Sequence, residues 1–507
     1  MSTAAENTAT EPRPSPQGSG RFARMVQRIS DRSNPIVVRY LRQQLRSRAF
    51  VIVYCVVLAL AALFSIGVGA SASDYGRPVG MQLVGLLAIL WTFAVWVFEP
   101  LNAYRAVAAE RDDDTWDLLR LTGLPPGRIL RGMLLASLIQ GVIYAAAVAP
   151  FLVMAYLLRG IDLGSLLAIM VFIPVCGLCA SAGAIFMGCL GVTRAVRVAL
   201  FTLVAVVCGL IWFIAATAWA QAGDIGFLFF FFGVSDNLLP IFVVLATFAA
   251  VWVATALVLG AAVIQRPSAN RSTGPRVLAY TLPLVYFVWA MIGSEGKALE
   301  ALCVTGVFTT CIAFFLGIFA IAEGYDITPR QARSLRLMKF MPSVFGSGGG
   351  RGRLAYVLLT LLGVAMAAIG ASEGRYGTER IMTVGIAAAS YSAVILCFSD
   401  WIARRQFKFK TALARRATTL GVLASLTFIG IIGASMNGGH LELTMISPIP
   451  GLWTFGEASH YQIDDAAAVL AFLGIACLAV LLIQGIRHSA SHEAKSRTRE
   501  VDDASVG

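Results

Sequence analysis

The sequence predicts an all-α membrane protein of about twelve transmembrane helices, and three observations carry that prediction. Only 13% of the 507 residues are charged and 58% are hydrophobic, whereas a soluble domain carries about 25% charged residues. The apolar residues fall into long runs, and about 20 in succession are what a helix needs to cross a bilayer. Finally, Lys and Arg alternate between sides. With the N-terminus in the cytoplasm, Arg77, Arg159, Lys297, Arg375 and Arg380 fall outside and the other 35 of 40 fall inside, as the positive-inside rule requires.

The spans are expected near 49–70, 79–104, 132–158, 163–190, 196–220 and 240–264. A second set is expected near 277–294, 299–322, 354–372, 381–403, 417–436 and 466–486. Each crossing must be helical because lipid offers no partner to bare backbone N–H and C=O groups. The short apolar stretch 227–233 (FLFFFFG) cannot cross and is expected as a shallow outward-facing element. The polar linker 266–276 divides six spans from six, which predicts membrane domains at 34–266 and 267–487. Residues 1–33 read as a disordered cytoplasmic tail and 488–507 as a second tail.

Topology accounts for the net charge of +12 without nucleic acid. All nine cysteines lie in apolar runs, so no disulfide framework is expected. Cys176-x-x-Cys179 has the spacing of a metal motif but sits at lipid depth, which favours packing. The first apolar run begins only at Ala49, so no secretory signal peptide is expected.

Ahead of the first span, residues 34–48 (NPIVVRYLRQQLRSR) form an amphipathic pattern. Asn34 suits a cap and Pro35 a first turn. Val37, Tyr40, Leu41 and Leu45 gather on one side, and Arg39, Arg42 and Arg46 gather opposite, facing anionic membrane lipid.

After the second span, residues 110–117 hold five acids (Glu110, Asp112, Asp113, Asp114 and Asp117) between basic loops. Asp113 or Asp114 can cap a short helix whose positive end favours acids. Trp116, Leu118, Leu119 and Leu121 supply apolar surface, and Gly123 with Pro125-Pro126-Gly127 stops the helix. A helix resting on anionic lipid would be basic, so this one is expected to dock on a protein.

These residues resemble a known family. Asn34-Pro35 with Arg39, Leu41, Arg42 and Arg46-Ser47-Arg48 is similar to the opening of permeases of the type-2 ABC exporter family in its bacterial form. Glu110-Arg111, Thr115, Asp117, Leu118-Leu119, Thr122, Leu124, Pro126, Ile129 and Gly132 are similar to that family's loop leading into the third span. Tyr40 stands where the family commonly has Glu. The resemblance covers 34–266; beyond it only the general layout is shared.

The resemblance implies a connecting helix at 34–48 and a coupling helix at 110–122. The latter would contact a separate ABC ATPase subunit through Glu110, Arg111, Asp113, Asp114, Trp116, Asp117, Leu118, Leu119 and Leu121. It also implies a multi-pass permease of the bacterial inner membrane that is not itself an enzyme and binds no cofactor. ATP-Mg would be used by the partner. The chain is then either a fused pair of six-span halves or one permease that pairs with a second copy.

Two rival classes remain open. No Gly-x-x-x-x-Gly-Lys-Ser/Thr loop occurs, so energy comes from another polypeptide or from an ion gradient. The glycine-rich 346–353 (GSGGGRGR) lacks that ending and reads as a flexible loop. An ion-coupled carrier would need ionisable groups at membrane depth, and Glu99 and Asp400 are the candidates. A lipid or sugar transferase would need acids clustered at one interface, which only 110–117 offers. The outward loop 437–464, with His440, Glu442, Glu457 and His460, is spaced too loosely for a metal site.

Overall fold

The computed structural model describes residues 35–71, 79–112, 124–158, 163–191, 193–221, 238–265, 270–293, 297–323, 343–346, 348–372, 376–406 and 469–487, with single positions and helical fragments between. Every regular element among them is helical. Eleven helices are long and apolar enough to cross a membrane, which makes this a multi-pass membrane protein. They correspond to eleven of the expected spans. The remaining one, 417–436, lies mostly outside the described residues, as do 227–233, the outward loop 437–464 and both tails.

The chain separates into two compact units, Met1–Leu239 and Pro240–Gly507. In the first, α1 (Pro35–Leu45) precedes the span α2 (Arg48–Ser71). The next span runs through α3 (Val79–Thr92), a π-helical turn (Phe93–Phe98) and α4 (Glu99–Asp112). After it come α5 (Pro126–Leu157), α6 (Leu163–Leu190) and α7 (Arg194–Gln221).

Pro100 explains the widened turn. Its ring excludes an N–H and crowds the carbonyl four residues back. The preceding residue, Glu99, donates its N–H five residues back to Ala94 O, and such π turns recur at functional sites. Trp96 Nε1 donates to Ile173 O at 2.9 Å, fixing the turn against α6. Tyr104 donates to Arg197 O at 2.6 Å, fixing α4 to α7.

The second unit holds α8 (Leu238–Ile264), α9 (Thr273–Gly293), α10 (Ala298–Ala322), α11 (Gly349–Ala371), α12 (Tyr376–Trp401) and α13 (Val469–Arg487). The sequence divided the chain at the linker 266–276, but by packing α8 belongs with α9 on the far side of that linker. Trp289 Nε1 on α9 donates to Thr247 Oγ1 on α8 at 2.8 Å, and its ring lies 5.8 Å from Phe248. The helices α10 and α11 meet backbone to backbone at Gly306 and Gly370. A Cβ there would lie 2.4 Å from Ala367 N and Cys303 N, respectively. Such small-residue contacts suit membrane helices, which gain little from apolar burial against one another.

Large apolar side chains remain exposed on the outer faces, among them Leu210, Phe213 and Ile214 on α7 and Phe472 and Ile475 on α13. Contiguous exposure of this kind is a lipid-facing surface rather than a soluble one.

The expectation of a flexible glycine loop at 346–353 is overturned, because helix α11 already begins at Gly349. Gly348 takes φ 121°, a left-handed turn open to glycine, and α11 starts behind it. Arg276, 1% exposed, fastens the turn by donating to the carbonyls of Val344, Gly346 and Gly348. A side chain at Gly352 would collide with that guanidinium, 2.8 Å from its Nη2. Short-range composition suggested freedom; the long-range arginine removes it.

Candidate functional site: the grip of α1 on the end of α4

The amphipathic reading of α1 is visible in its burial. Ile36, Val37 and Tyr40 are buried, Leu41 and Leu45 are half-buried, and Arg39, Arg42 and Arg46 are exposed. The apolar side does not lie free: α1 packs on α5.

That packing carries Tyr40 to the last turn of α4, where Glu110 is 5% exposed. Tyr40 donates its hydroxyl to Glu110 Oε1 at 2.7 Å, and Arg39 Nη2 donates to the same oxygen at 2.9 Å. The Arg39 guanidinium also stands 5.6 Å from the centre of the Tyr40 ring. Tyr40 is 2% exposed, and burial first, then the hydrogen bond to Glu110, pushes its pKa well above the ordinary tyrosine value. The hydroxyl therefore stays a donor across the physiological range.

The sequence placed Glu110 and Arg111 at the start of a separate helix. In the structure both belong to the helix of the span itself, which continues to Asp112. Asp113, Asp114, Trp116, Asp117, Leu118, Leu119 and Leu121 lie outside the described residues. The chain is described again from Leu124, and Pro125 (φ −66°, ψ 140°) opens α5 with Pro126 in its first turn. The described residues that flank the acidic segment are thus the end of α4, held at Glu110, and the start of α5.

Tyr40 makes a polar contact that amphipathicity concealed. Its apolar ring placed it on the packing face, which is where it lies, but its hydroxyl supplies the shorter of the two bonds to Glu110.

The second unit also ties an arginine to a glutamate at the end of a span helix. Arg276, near the start of α9, pairs with Glu323 at 2.6 Å, and Glu323 closes α10 just ahead of residues 324–342. Gly348 N also donates to Glu323 at 3.3 Å. In each unit a glutamate at the end of a helix, Glu110 or Glu323, is held by an arginine from another helix.

The two acids singled out for ion coupling differ. Asp400 is taken at both oxygens, by Arg353 Nη2 at 2.9 Å and by Arg404 Nε at 2.5 Å. Glu99, 1% exposed, has no cationic partner among the described residues. Comparison with known proteins adds no family: no family profile, curated protein or solved structure matches the chain.

Proposed function

We propose that this chain is the membrane-spanning subunit of an ATP-binding-cassette exporter of the bacterial inner membrane. A separate ATPase subunit, hydrolysing ATP-Mg, drives it through the acidic segment 110–122. The observation that supports this best is the double grip on Glu110. A load applied to the segment would pass through Glu110 into α4 and, through Tyr40 and Arg39, into α1. From α4 it reaches α7 through the Tyr104 bond to Arg197 O. A rigid lever of this kind is what coupling to an external motor needs, and residues 110–117 carry the acidic charge of a docking surface.

The test is purification with co-expressed candidate ATPases. An ATPase is expected to co-elute. Trp116→Ala combined with Leu119→Ala should cut the hydrolysis recovered with it at least about tenfold, as loss of an aromatic anchor does at an interface. Failure of every ATPase to co-elute, with transport unchanged in that variant, overturns the proposal.

An ion-coupled carrier is the competing reading, and unpaired Glu99 is the observation that favours it. The two part on energy source: a carrier works from an ion gradient in vesicles without ATP.

A further inference from the structure

We propose that Glu99 and the polar side chains facing it from α5 and α6 form an internal site for one exchangeable monovalent cation, a proton or a sodium ion. The proposal is independent of the ATPase reading, because it concerns what neutralises Glu99 whatever drives transport.

The site begins just after the widened turn, where Glu99 is buried inside the unit. Glu99 lies within the span Val79–Glu110, more than two helical turns from its end. One carboxylate oxygen, Oε1, receives only a long bond from Ser181 Oγ at 3.4 Å. The other, Oε2, receives none. It rests against α5 where that helix has no side chain: a Cβ on Gly141 would stand 3.0 Å from Oε2.

Around Gly141, α5 presents Ser137, Gln140 and Tyr144, three and four residues apart and hence on one face. All three are 0% exposed. Among the described residues, the Ser137 hydroxyl has no hydrogen-bond partner, and the Tyr144 hydroxyl and Gln140 amide, which lie close enough to interact with each other, meet no partner at full hydrogen-bond geometry. Of the helices packed against α4, α5 brings Tyr144 into electrostatic range of the carboxylate and α6 brings Ser181. No charged side chain of α5, α6 or α7 pairs with it among the described residues.

Left as they stand, these groups are too costly to be complete. A buried charge without a partner is strongly unfavourable, and each buried polar group without one adds to that cost. Asp400, by contrast, takes two arginines. One negative charge among neutral oxygen donors calls for one positive charge. Divalent ions draw on several carboxylates, and no group of three His, Cys, Asp or Glu stands together among the described residues. A single proton or sodium ion fits both the charge and the donors.

The experiment is difference infrared spectroscopy on the full chain in lipid nanodiscs, subtracting Glu99→Gln from wild type. One series steps the pH between about 5 and 9 in the absence of sodium, spanning the range into which a buried carboxyl can be shifted. A second replaces a bulky organic cation by sodium at fixed pH. If the occupant is a proton, a protonated-carboxyl band absent from Glu99→Gln disappears as pH rises. If it is sodium, a carboxylate band absent from Glu99→Gln changes with sodium at constant pH.

Gln140→Ala retains the carboxyl and should weaken the apparent affinity for the cation about tenfold, the loss of roughly one hydrogen bond. This second variant keeps the test intact if Glu99→Gln does not fold. A carboxylate that ignores both pH and sodium, or a midpoint that Gln140→Ala leaves unmoved, overturns the proposal.

Discussion

Asp400→Asn is expected to lower the unfolding temperature of the purified protein by roughly 3–5 °C, the equivalent of about 3–5 kcal/mol. Arg353 is 0% exposed and Asp400 6%. Removing the carboxylate charge leaves a guanidinium buried on α11 opposite an amide that cannot neutralise it. The cost is that of weakening the neutralisation of a buried charge, not of losing a surface bridge. Arg404→Ala attacks the same aspartate from its wetter side, where the arginine is 22% exposed, and should cost no more than about 1 kcal/mol. Replacing both buried partners, Arg353→Met with Asp400→Leu, should recover part of the loss, because a well-packed apolar pair avoids the desolvation that the ions suffer. Thermal unfolding followed by intrinsic fluorescence in detergent reads all three. Wild-type stability in Asp400→Asn would mean that the pair does not hold α11 to α12.

The second large effect is expected at Glu110. Glu110→Ala leaves the Tyr40 hydroxyl buried without its acceptor, at a cost of about 1–3 kcal/mol. It also frees the end of α4 from α1. Arg39→Ala should matter far less, since its side chain is 52% exposed and the pair is screened by water. Tyr40→Phe should resemble Glu110→Ala, and the double variant should cost less than the sum, with a coupling of roughly 1–2 kcal/mol because the two groups touch.

The raised Tyr40 pKa sets the pH dependence. A group held protonated in the folded state contributes fully below its ordinary value of about 10 and loses its contribution only above it. The junction's contribution to stability should therefore be flat from about pH 6 to 9 and fall only in stronger alkali. Stability in urea or heat at several pH values checks this. A decline near neutrality would place the controlling group elsewhere.

Much of the architecture was legible because lipid imposes a simple rule on sequence. Runs such as 48–70 and 194–217 had to be helices, and their lengths gave the boundaries to within a few residues. The burial of α1 was legible for the same reason: Val37 and Tyr40 sit one turn apart, and the arginines sit opposite. What could not be read was any contact over distance. Nothing near Glu110 points to Tyr40, 70 residues earlier.

The glycines ahead of Arg353 looked flexible because local composition cannot reveal Arg276, whose guanidinium binds the turn from 70 and 72 residues away. Glu99 and Asp400 looked alike in sequence, each an acid near the end of a span. The structure separates them: two arginines reach Asp400, while among the described residues Glu99 meets only neutral groups. The acidic segment itself was read from its charge and its helix signals, and its apolar residues 116–121 lie outside what the structure describes.

The most direct test of the coupling proposal is a photo-crosslinking amino acid, p-benzoylphenylalanine, placed at position 116 of the full chain in cells. If the segment meets a motor subunit, the crosslink will join the chain to a nucleotide-binding polypeptide, and trapping that partner with a non-hydrolysable nucleotide will change its yield. Crosslinks to lipid alone, or labelling of position 116 from outside the cell, would contradict the account.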